Sequence, residues 1–364
     1  MPTNGQDCRV VPGEAADGTP IFSALVKRTY RIVPGKNAHR AEQPAKLVET
    51  DQYFDEGDPQ VNSVRFETDL VPFKIATDIV VVGKAYAPGA RPTSTMQVSI
   101  YLGAYRKELL IVGDRRCEFR PGRPPVWSDP LPFAEMEVRY ERAYGGSDER
   151  SLPGMPFSYP RNPIGRGFFI SYIKENVDGL PLPNIEDPVD PLTPERLITG
   201  EVTRWNRQPL SQGLGWFHRV WYPRCSFLAA MPGFVPPGEV MREEQLGIVP
   251  RGQADLAAAF RLPSRDPRFW NGASLGLVVP FLEGNEPVRL INLTPSGKLD
   301  FCLPGEVPSV TLDIGMGEKE LRPFLHSVTI RPDDNQLDLV WRAAHPYPGV
   351  DWLPNMTAMR LEVH

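Results

Sequence analysis

Alternating apolar and polar residues recur in short runs over the first 145 residues. In MQVSIYLG (residues 96–103) the apolar positions of one face are Met96, Val98, Ile100 and Leu102. A period of two places successive side chains on opposite faces of a β-strand. KELLIVGDR (residues 107–115) follows after a short break, as a hairpin partner does. Together with the runs at residues 25–33 and 78–87, each followed by a Pro-Gly pair, the pattern predicts an antiparallel meander.

The last third of the chain shows the same hairpin pattern. RLINL and KLDFCLP flank the turn TPSG, and HSVTIR and QLDLVWRA flank the turn PDDN. Proline, asparagine, aspartate and glycine are typical of segments in which the chain reverses. Between these regions, QADLAAAF (residues 253–260) is the one short helix candidate. We therefore expect a mainly β protein in which antiparallel sheets pack as sandwich-like layers, with few short helices.

Proline is the unusual component of the composition, with 41 residues in a chain of 364. Each interior proline removes a helical hydrogen bond and clashes with the preceding turn, so long helices are disfavoured. Nine prolines fall between residues 153 and 194. This density predicts a long proline-rich arm at residues 153–200, between an N-terminal β meander (1–152) and a C-terminal β-rich part (201–364). One integrated domain over residues 20–346 is favoured over two lobes, and any split is expected within the arm.

The charge balance argues against nucleic acid as a general partner. The 40 basic and 45 acidic residues leave a formal charge of -5, which does not attract a phosphate backbone. No apolar run approaches the roughly 20 residues of a membrane helix, so membrane insertion is not expected. The first residues lack the charged and apolar regions of an export signal, and we expect a cytoplasmic protein.

The motif GASLG (residues 272–276) fits the G-x-S-x-G pattern of serine hydrolases, with Ser274 as nucleophile. Asp313 and His326 follow in the chain order of an α/β-hydrolase triad. That motif requires a strand before the serine and a helix after it, whereas here a loop precedes it and a strand-like run with a proline follows. A glycine-flanked turn is therefore favoured, and a serine esterase or amidase using Ser274 is the alternative function.

The sequence offers no metal or cofactor motif, so neither is predicted. The five histidines lack zinc-binding spacing. The four cysteines are far apart in sequence, so we expect them to be small buried hydrophobic residues and not metal ligands or disulfide partners. Three acidic residues, Glu186, Asp187 and Asp190, lack the alternating oxygen ligands of a calcium loop. The Gly-Lys pairs lack the upstream glycine of a phosphate-binding loop. No catalytic residue is assigned either.

Aromatic residues and arginines alternate in a segment that is the candidate partner-binding element. We name it the aromatic-arginine segment, and its members are Arg204, Trp205, Arg207, Trp216, Phe217, Arg219, Trp221 and Arg224. Such residues stack nucleobases, and they also dominate the anchored centres of protein interfaces. The acidic chain favours protein contact. The remaining interpretation is that these aromatic residues form part of the core.

The stretch VRYERAYGG (residues 138–146) contains one carboxylate between two guanidiniums. On an extended strand, Arg139 and Glu141 share one face while Arg142 lies on the other. A catalytic carboxylate normally has a second carboxylate or a histidine beside it, and neither is present here. We therefore predict a structural ion-pair network of Arg139, Glu141 and Arg142 at a strand end, with the two glycines permitting a tight turn.

Seven strings of this chain, in this order, resemble the bacterial family known as the domain of unknown function DUF2169. They are VPFKIATDIVVVGKAYAP, LIVGDR, VRYERAYGG, RNPIGRGF, LPNIEDP, WYPR and LVWRA. The resemblance extends over about residues 22–346. Members of that family are encoded beside type VI secretion genes and are regarded as adaptors or chaperones. The resemblance implies a non-enzymatic cytoplasmic protein that binds a secreted toxic effector, with a spike or spike-tip component as a second expected partner.

From the sequence we expect an adaptor that stabilises a type VI effector and assists its loading onto the secretion spike. Two functions from other classes stay open, namely the Ser274 hydrolase and a carbohydrate-binding β module. The second would need exposed aromatic residues along a groove.

Overall fold

The computed structural model describes residues 6–15, 18–151, 153–154, 156–171, 173–228, 267–315, 317–347 and 359–364. Over these ranges the protein is mainly β, as the alternating pattern predicts. The α-helical part of the described chain is one turn, α1 (Pro194–Leu197). The helix predicted at residues 253–260 lies outside the described residues. No helix among those described is long and apolar enough to cross a membrane.

The strands of the first half of the described chain are short apart from four. In order they are β1 (Gln6–Glu14), β2 (Pro20–Arg31), β3 (His39–Arg40), β4 (Gln52–Tyr53), β5 (Val64–Phe66), β6 (Thr77–Val81), β7 (Lys84–Tyr86), β8 (Thr95–Leu102), β9 (Tyr105–Val112), β10 (Cys117–Glu118), β11 (Val126–Trp127), β12 (Glu135–Glu137), β13 (Tyr144–Gly145), β14 (Ser147–Asp148), β15 (Phe157–Ser158), β16 (Arg166–Gly167) and β17 (Ile185–Glu186).

The remaining strands follow the arm. They are β18 (Val278–Val279), β19 (Pro287–Ile291), β20 (Lys298–Cys302), β21 (Val310–Asp313), β22 (Glu318–Leu321), β23 (Phe324–Arg331), β24 (Gln336–Pro346) and β25 (Arg360–Val363). Short 3-10 turns connect them at Pro59–Val61, Pro88–Ala90, Tyr140–Arg142, Lys174–Val177, Val202–Arg207, Arg224–Leu228, Pro267–Trp270 and Pro332–Asp334.

The largest sheet has seven strands and joins the two ends of the chain. Its order is β1-β2-β24-β23-β6-β18, with β3 paired to β2. The pairs are antiparallel except β23 with β6, which run parallel with Ser327 opposite Asp78. The first 152 residues thus do not form a meander among themselves, because β2 and β6 both pair with strands from the last third. Pairing over such sequence distances leaves no local signal in the alternation pattern.

The second sheet has five strands in the order β17-β9-β8-β19-β20. Its hairpin β8–β9 pairs Met96 with Ile111 and is the hairpin that the sequence predicts. The predicted hairpins β19–β20 and β23–β24 are also present. Adjacent strands with a short turn need only local information, and the pattern supplies it.

The two large sheets pack face to face through one hydrophobic core, which is the layered arrangement expected from the sequence. Val26, Val80 and Val328 come from the seven-stranded sheet, and Val98 and Leu290 come from the five-stranded sheet. All five are essentially inaccessible to solvent. The facing side chains therefore hold the layers together by apolar burial.

Strand β2 is buried on both faces, and its buried polar side chains have partners. Lys27 Nζ lies 2.9 Å from Asp69 Oδ2, and the Thr29 hydroxyl donates to Asp338 Oδ1 over 2.7 Å. Arg28 donates to the Gln6 side chain and to the carbonyl of His364. Buried charges are costly unless paired, so these contacts make a polar centre tolerable in the strand.

The proline-rich stretch packs against the body of the protein around a second hydrophobic cluster. Tyr159, Phe168, Phe169 and Leu197 are buried there, together with Tyr144 from before the arm. Strand β16 of the arm pairs in parallel with β13, with Arg166 opposite Tyr144. The stretch is therefore ordered by apolar contacts although its secondary structure is sparse.

Two fully buried asparagines tie the arm to the preceding strands. Asn162 Nδ2 donates to the carbonyls of Tyr140 and Tyr144, over 2.9 and 3.1 Å. Asn184 Nδ2 donates to the Val112 carbonyl over 2.9 Å and to Asp114 Oδ1 over 3.0 Å. A side-chain amide that caps main-chain groups replaces the hydrogen bonds that irregular backbone lacks.

Replacing Asn184 by alanine should lower the free energy of unfolding by about 2 kcal/mol, because the buried Val112 carbonyl loses a donor. The matched control is Asn176→Ala, since the Asn176 amide makes one exposed bond of 3.4 Å to Arg150. Urea unfolding of both variants provides the comparison. Equal losses for the two would contradict the structural role given to Asn184.

Candidate functional site

The turn GASLG is held by one buried carboxylate, that of Asp78 in β6. Asp78 accepts hydrogen bonds from the backbone amides of Gly272 and Ala273, over 3.2 and 3.1 Å. It also accepts from Asn271 Nδ2 at 3.2 Å and from Lys74 Nζ at 2.5 Å. Four donors around one carboxylate compensate the cost of burying its charge.

The same turn pairs with the aromatic-arginine segment. Trp216 and Ala273 form an antiparallel bridge. The Phe217 amide donates to the Gly272 carbonyl over 2.7 Å, and the Ser274 amide donates to the Gly215 carbonyl over 3.1 Å. The two motifs that stand out in the sequence are therefore neighbours, and Asp78 positions both.

Gly272 lies where the chain passes a buried ion pair. A Cβ atom at this position would stand 2.5 Å from both Arg224 Nη1 and Glu67 Oε2. Arg224 Nη2 is 2.7 Å from Glu67 Oε1, and Arg219 Nη2 is 3.0 Å from the same oxygen. This contact explains the first glycine of GASLG by close packing, without any nucleophile elbow.

Ser274 has no exposed surface, and its hydroxyl accepts a hydrogen bond from Lys107 Nζ over 2.8 Å. The same ammonium nitrogen is 2.5 Å from the Leu275 carbonyl. Burial lowers the pKa of Lys107 to about 7, and the charge of Asp187 opposes that shift. Serine-lysine pairs act in some hydrolases, but the substrate must reach the serine oxygen. Here Lys107 and Ser274 connect the five-stranded sheet to the turn.

The structure does not assemble the serine, acid and histidine as a triad. Asp313 accepts from the backbone amides of Gly315 and Gly317 beside the three-stranded sheet β22-β21-β25. His326 stacks on Phe281 with 5.6 Å between ring centroids, and burial lowers its pKa well below the usual value. Among the described residues no hydrogen bond joins any two of these three side chains. The order of Ser274, Asp313 and His326 along the chain therefore did not predict that their side chains would be close together.

Four members of the aromatic-arginine segment are interior residues, which corrects their assignment as partner contacts. Trp205, Trp216, Trp221 and Arg224 are each at most 4% exposed. Trp221 packs edge-on against Tyr140 with centroids 5.3 Å apart, and Lys74 Nζ lies 4.9 Å above the Trp216 ring. Aromatic side chains of this size are drawn into the core by their apolar area. The core interpretation left open by the sequence applies to these residues.

The other members of the segment retain some exposure. Arg204 and Arg207 are exposed, and Arg204 Nη2 pairs with Glu201 over 2.9 Å. Phe217 is half-buried, and Arg219 binds Asp51 as well as Glu67. Partner binding by these four remains a prediction. Neighbouring His218 is buried, which together with Arg224 lowers its pKa to about 4.

A surface cleft opens between the turn and the segment. Its lining comprises Ile75, Arg161, Leu210, Ser211, Phe217, Tyr222, Pro223, Arg224, Phe227, Arg268, Asn271, Ala273, Leu275 and Val278. The cleft holds about 80 Å³. Pockets that enclose a drug-sized ligand measure about 300–1,000 Å³, so this smaller cleft suits a side chain better than a free metabolite. We name it the Phe217 cleft.

The stretch VRYERAYGG forms a 3-10 turn at Tyr140–Arg142, not the strand that its alternation predicts. Arg139 Nε lies 3.1 Å from Glu141 Oε2, and Glu141 also accepts from the backbone amide of Ser63. Arg142 is directed elsewhere, with its Nη1 3.5 Å from Asn184 Oδ1. The predicted ion pair of Arg139 with Glu141 is therefore present, whereas Arg142 lies beside Asn184 and Asp114.

Two glycines end that stretch for steric reasons. Gly145 has a φ of 148°, and a Cβ atom there would lie 2.1 Å from the Asn162 carbonyl oxygen. The Gly146 amide donates to that oxygen over 2.8 Å. The glycine pair therefore permits the arm to approach closely. The sequence analysis predicted only that these glycines allow a tight turn.

The acidic residues considered as cation ligands have other partners. Glu186 pairs with Arg115 over 2.8 Å, and Asp190 forms an ion pair with Arg196. Asp187 accepts from Gln212 Nε2 and from the backbone amide of Val189. In the described part of the chain no group of three or more potential ligands is placed to hold a metal ion. The four cysteines, all within the described residues, are free thiols.

Sequence reasoning missed Lys107, Asp78 and Glu67. None of them belongs to the motifs that were considered as sites. Each forms its hydrogen bond with a residue about 150 positions or more away in sequence, so its role depends on the tertiary structure. A charged residue within an apolar strand was the available signal, since such a charge requires a buried partner.

Gly272→Ala should destabilise the fold by about 3 kcal/mol, because the added methyl group has to displace the buried Arg224–Glu67 pair. Gly215→Ala is the matched control in the segment that pairs with the turn, since a Cβ atom there meets nothing within 4 Å. We expect the control to change stability by less than about 0.5 kcal/mol. Thermal unfolding of both variants measures the difference, and a neutral Gly272→Ala would refute the packing argument.

Lys107→Met should change stability in a pH-dependent manner. Below pH 7 the wild-type lysine is charged in both states and carries its full burial penalty, which is relieved as pH rises from 7 towards 10.5. The variant's stability relative to wild type should therefore fall by about 1 kcal/mol per pH unit in that window. Urea unfolding at several pH values tests this, with exposed Lys298→Met as control. Parallel pH profiles for Lys107→Met and wild type would contradict it.

Comparisons with known proteins give one positive result. The family model described as "Uncharacterized protein conserved in bacteria (DUF2169)" matches residues 17–342. No curated protein and no solved structure matches this chain. The matched range contains the Asp78-anchored turn, the arm and the lining of the Phe217 cleft. Because the match covers most of the chain, the protein belongs to the bacterial family DUF2169.

Proposed function

We propose that this protein is a cytoplasmic adaptor or chaperone that binds a type VI secretion effector and assists its loading onto the secretion spike. The secretion role is supported by the family, whose members are regarded as such adaptors. Protein binding as the mode of action is supported by one observation, the Phe217 cleft. It is a small surface cleft whose apolar walls are flanked by arginines.

Apolar side chains beside arginine are the composition of anchored protein interfaces. Six apolar residues of the cleft are half-buried, so each retains surface that a partner would remove from water: Ile75, Leu210, Phe217, Pro223, Leu275 and Val278. The layered β core behind them is closely packed and fixes their positions. A rigid surface loses little conformational entropy on docking, which favours binding.

The hydrolase alternative has less support. Ser274 is fully buried and bonded to Lys107, while its neighbours Ala273 and Leu275 line the cleft. A substrate in the cleft would therefore meet the side chains on either side of the serine. The carbohydrate-binding alternative is weakened by the burial of Trp205, Trp216 and Trp221, since a sugar-binding groove needs exposed rings.

The test is reciprocal co-purification with the effector encoded beside the gene. The tagged protein and the tagged effector should each retain the other in near-equal amounts, and the effector's solubility should rise severalfold on co-expression. Mass spectrometry of the complex from the native host identifies any spike component. Failure of every neighbouring gene product to bind would refute the adaptor function.

Ser274→Ala separates the adaptor from the hydrolase. The variant loses the Lys107 acceptor, so its thermal stability should fall, while effector capture at a temperature where it is folded should equal that of the wild type. Generic ester and amide substrates should show no turnover that depends on Ser274. A serine-dependent rate above background would overturn the proposal in favour of the enzyme.

A further inference from the structure

The outer strand β1 (Gln6–Glu14) leaves one edge of the largest sheet open. It pairs with β2 over all nine of its residues, and among the described strands it is the longest one at a sheet edge. The edge of the second sheet, β20, is closed by a loop, since the Cys302 amide donates to the Lys36 carbonyl over 3.0 Å. No described segment closes β1 in this way, so its outer main-chain groups can pair with another strand.

Two hydrogen bonds determine which main-chain groups of β1 face outward. The Ala15 amide donates to the Thr19 carbonyl over 2.8 Å, which extends the β1–β2 register by one pair. On the other side of β2, the Tyr347 amide donates to the Pro20 carbonyl over 3.1 Å. Hydrogen-bonded and non-hydrogen-bonded pairs alternate in an antiparallel ladder. Odd-numbered residues of β1 therefore bond to β2, and even-numbered residues direct their main-chain groups away from it.

The outward groups form a short pairing site that ends at a proline. Gln6, Cys8 and Val10 each direct an amide and a carbonyl outward, and within the described chain no hydrogen bond reaches these groups. Pro12 has the same orientation and has no amide hydrogen to offer, which is the placement typical of proline in an edge strand. The residues available to an added strand are therefore 6–10.

Two charges of opposite sign flank the centre of this site. Asp7 accepts a hydrogen bond from the Leu47 amide over 2.8 Å. Arg9 Nη2 lies 2.6 Å from Glu49, and these two side chains are 44% and 60% exposed, so water screens the pair. An added strand places its own side chains directly opposite Asp7 and Arg9, where like charges are unfavourable and opposite charges are favourable.

These charges and the proline reject most ways in which a second copy of β1 could pair with the first. A two-fold antiparallel pair is centred on one residue. Centring it on Asp7 or on Arg9 sets identical charges directly opposite each other. Centring it on Val10 or on Val11 places Pro12 in a hydrogen-bonded pair that needs an amide donor.

A pair centred on Cys8 avoids both problems. Cys8 then lies opposite Cys8 of the other copy, and Gln6 lies opposite Val10 at both ends. These outward residues exchange main-chain hydrogen bonds in both directions. Between them, Asp7 of each copy lies opposite Arg9 of the other. The edge is therefore complementary to itself in this register.

We propose that β1 is a dimerisation edge, at which two copies of this chain pair antiparallel through residues 6–10 with Cys8 at the centre. The two seven-stranded sheets then form one continuous sheet across the two-fold axis. Main-chain hydrogen bonds supply the attraction, and the charges select the register. This inference goes beyond the adaptor function and does not depend on it.

Exchanging the charges tests the register by analytical ultracentrifugation. The wild type should dimerise with a Kd below about 100 µM, and a protein that stays monomeric at that concentration would overturn the inference. Asp7→Lys and Arg9→Asp should each dimerise at least about tenfold more weakly, because each sets like charges opposite one another. An equimolar mixture of the two variants should regain the wild-type affinity, because the two edges are complementary. A mixture that stays as weak as the single variants would refute the register.

Cross-linking tests the centre of the interface. Directly opposite, hydrogen-bonded residues have Cα atoms about 5.5 Å apart, which lies within the range that a disulfide bridges. Mild oxidation with copper-phenanthroline should therefore give a covalent dimer on a non-reducing gel, and Cys8→Ser should abolish it. The matched control is Cys302→Ser, since Cys302 is also a half-buried free thiol on an edge strand. A dimer that needs Cys302 and not Cys8, or no covalent dimer at all, would contradict the proposal.

Cys8→Pro tests the edge without disturbing the β1–β2 ladder, because the Cys8 amide points away from β2. This variant should be monomeric, while Cys8→Ala should dimerise as the wild type does. Thermal unfolding verifies that both are folded at the assay temperature. A folded Cys8→Pro variant that still dimerises would show that another surface is used. If the wild type is monomeric and only Cys8→Pro loses the neighbouring effector, the edge binds a strand of the effector and the inference is wrong.

Discussion

The interaction on which the site depends is the burial of the Asp78 carboxylate between β6 and the turn that follows Asn271. Without its donors this charge would be strongly unfavourable in an apolar interior. Lys74, Asn271 and two backbone amides of the turn compensate it, and the bonds from Asn271 and the turn join segments about 190 residues apart in sequence. A single carboxylate thereby fixes the position of GASLG on the edge of the largest sheet.

The neighbouring features follow from that anchor. With the turn in place, Gly272 leaves room for Arg224 and Glu67, and Ser274 meets Lys107 from the other sheet. Ala273 and Leu275 then form part of the cleft wall. Within one short turn, Gly272 and Ser274 therefore contact the interior, while Ala273 and Leu275 contribute to the surface cleft. The motif that resembles a catalytic signature is accounted for by packing and hydrogen bonding.

Local patterns predicted the local structure well. The hairpins β8–β9, β19–β20 and β23–β24 join adjacent segments, so alternation and turn residues suffice to define them. The parallel contact of β6 with β23 has no such signal, because its partners are about 250 residues apart. The predicted meander and the extended strand expected within residues 138–146 were both wrong, because long-range contacts override local preference there. For the candidate site, half of the aromatic-arginine segment proved to be interior, and partner binding by the other half stays a prediction.

The sequence by itself determined the mainly β class, the hairpins, the scarcity of helix among the described residues and the family, because each is encoded in periodicity, composition or ordered strings of residues. Only the tertiary structure decided which aromatic residues face inward, which carboxylate anchors the turn, and where arginines border a cleft. The physical reason is that burial and ion pairing depend on which distant segments meet. Strand periodicity specifies the two faces of a strand, and the packing of the sheets decides what each face contacts.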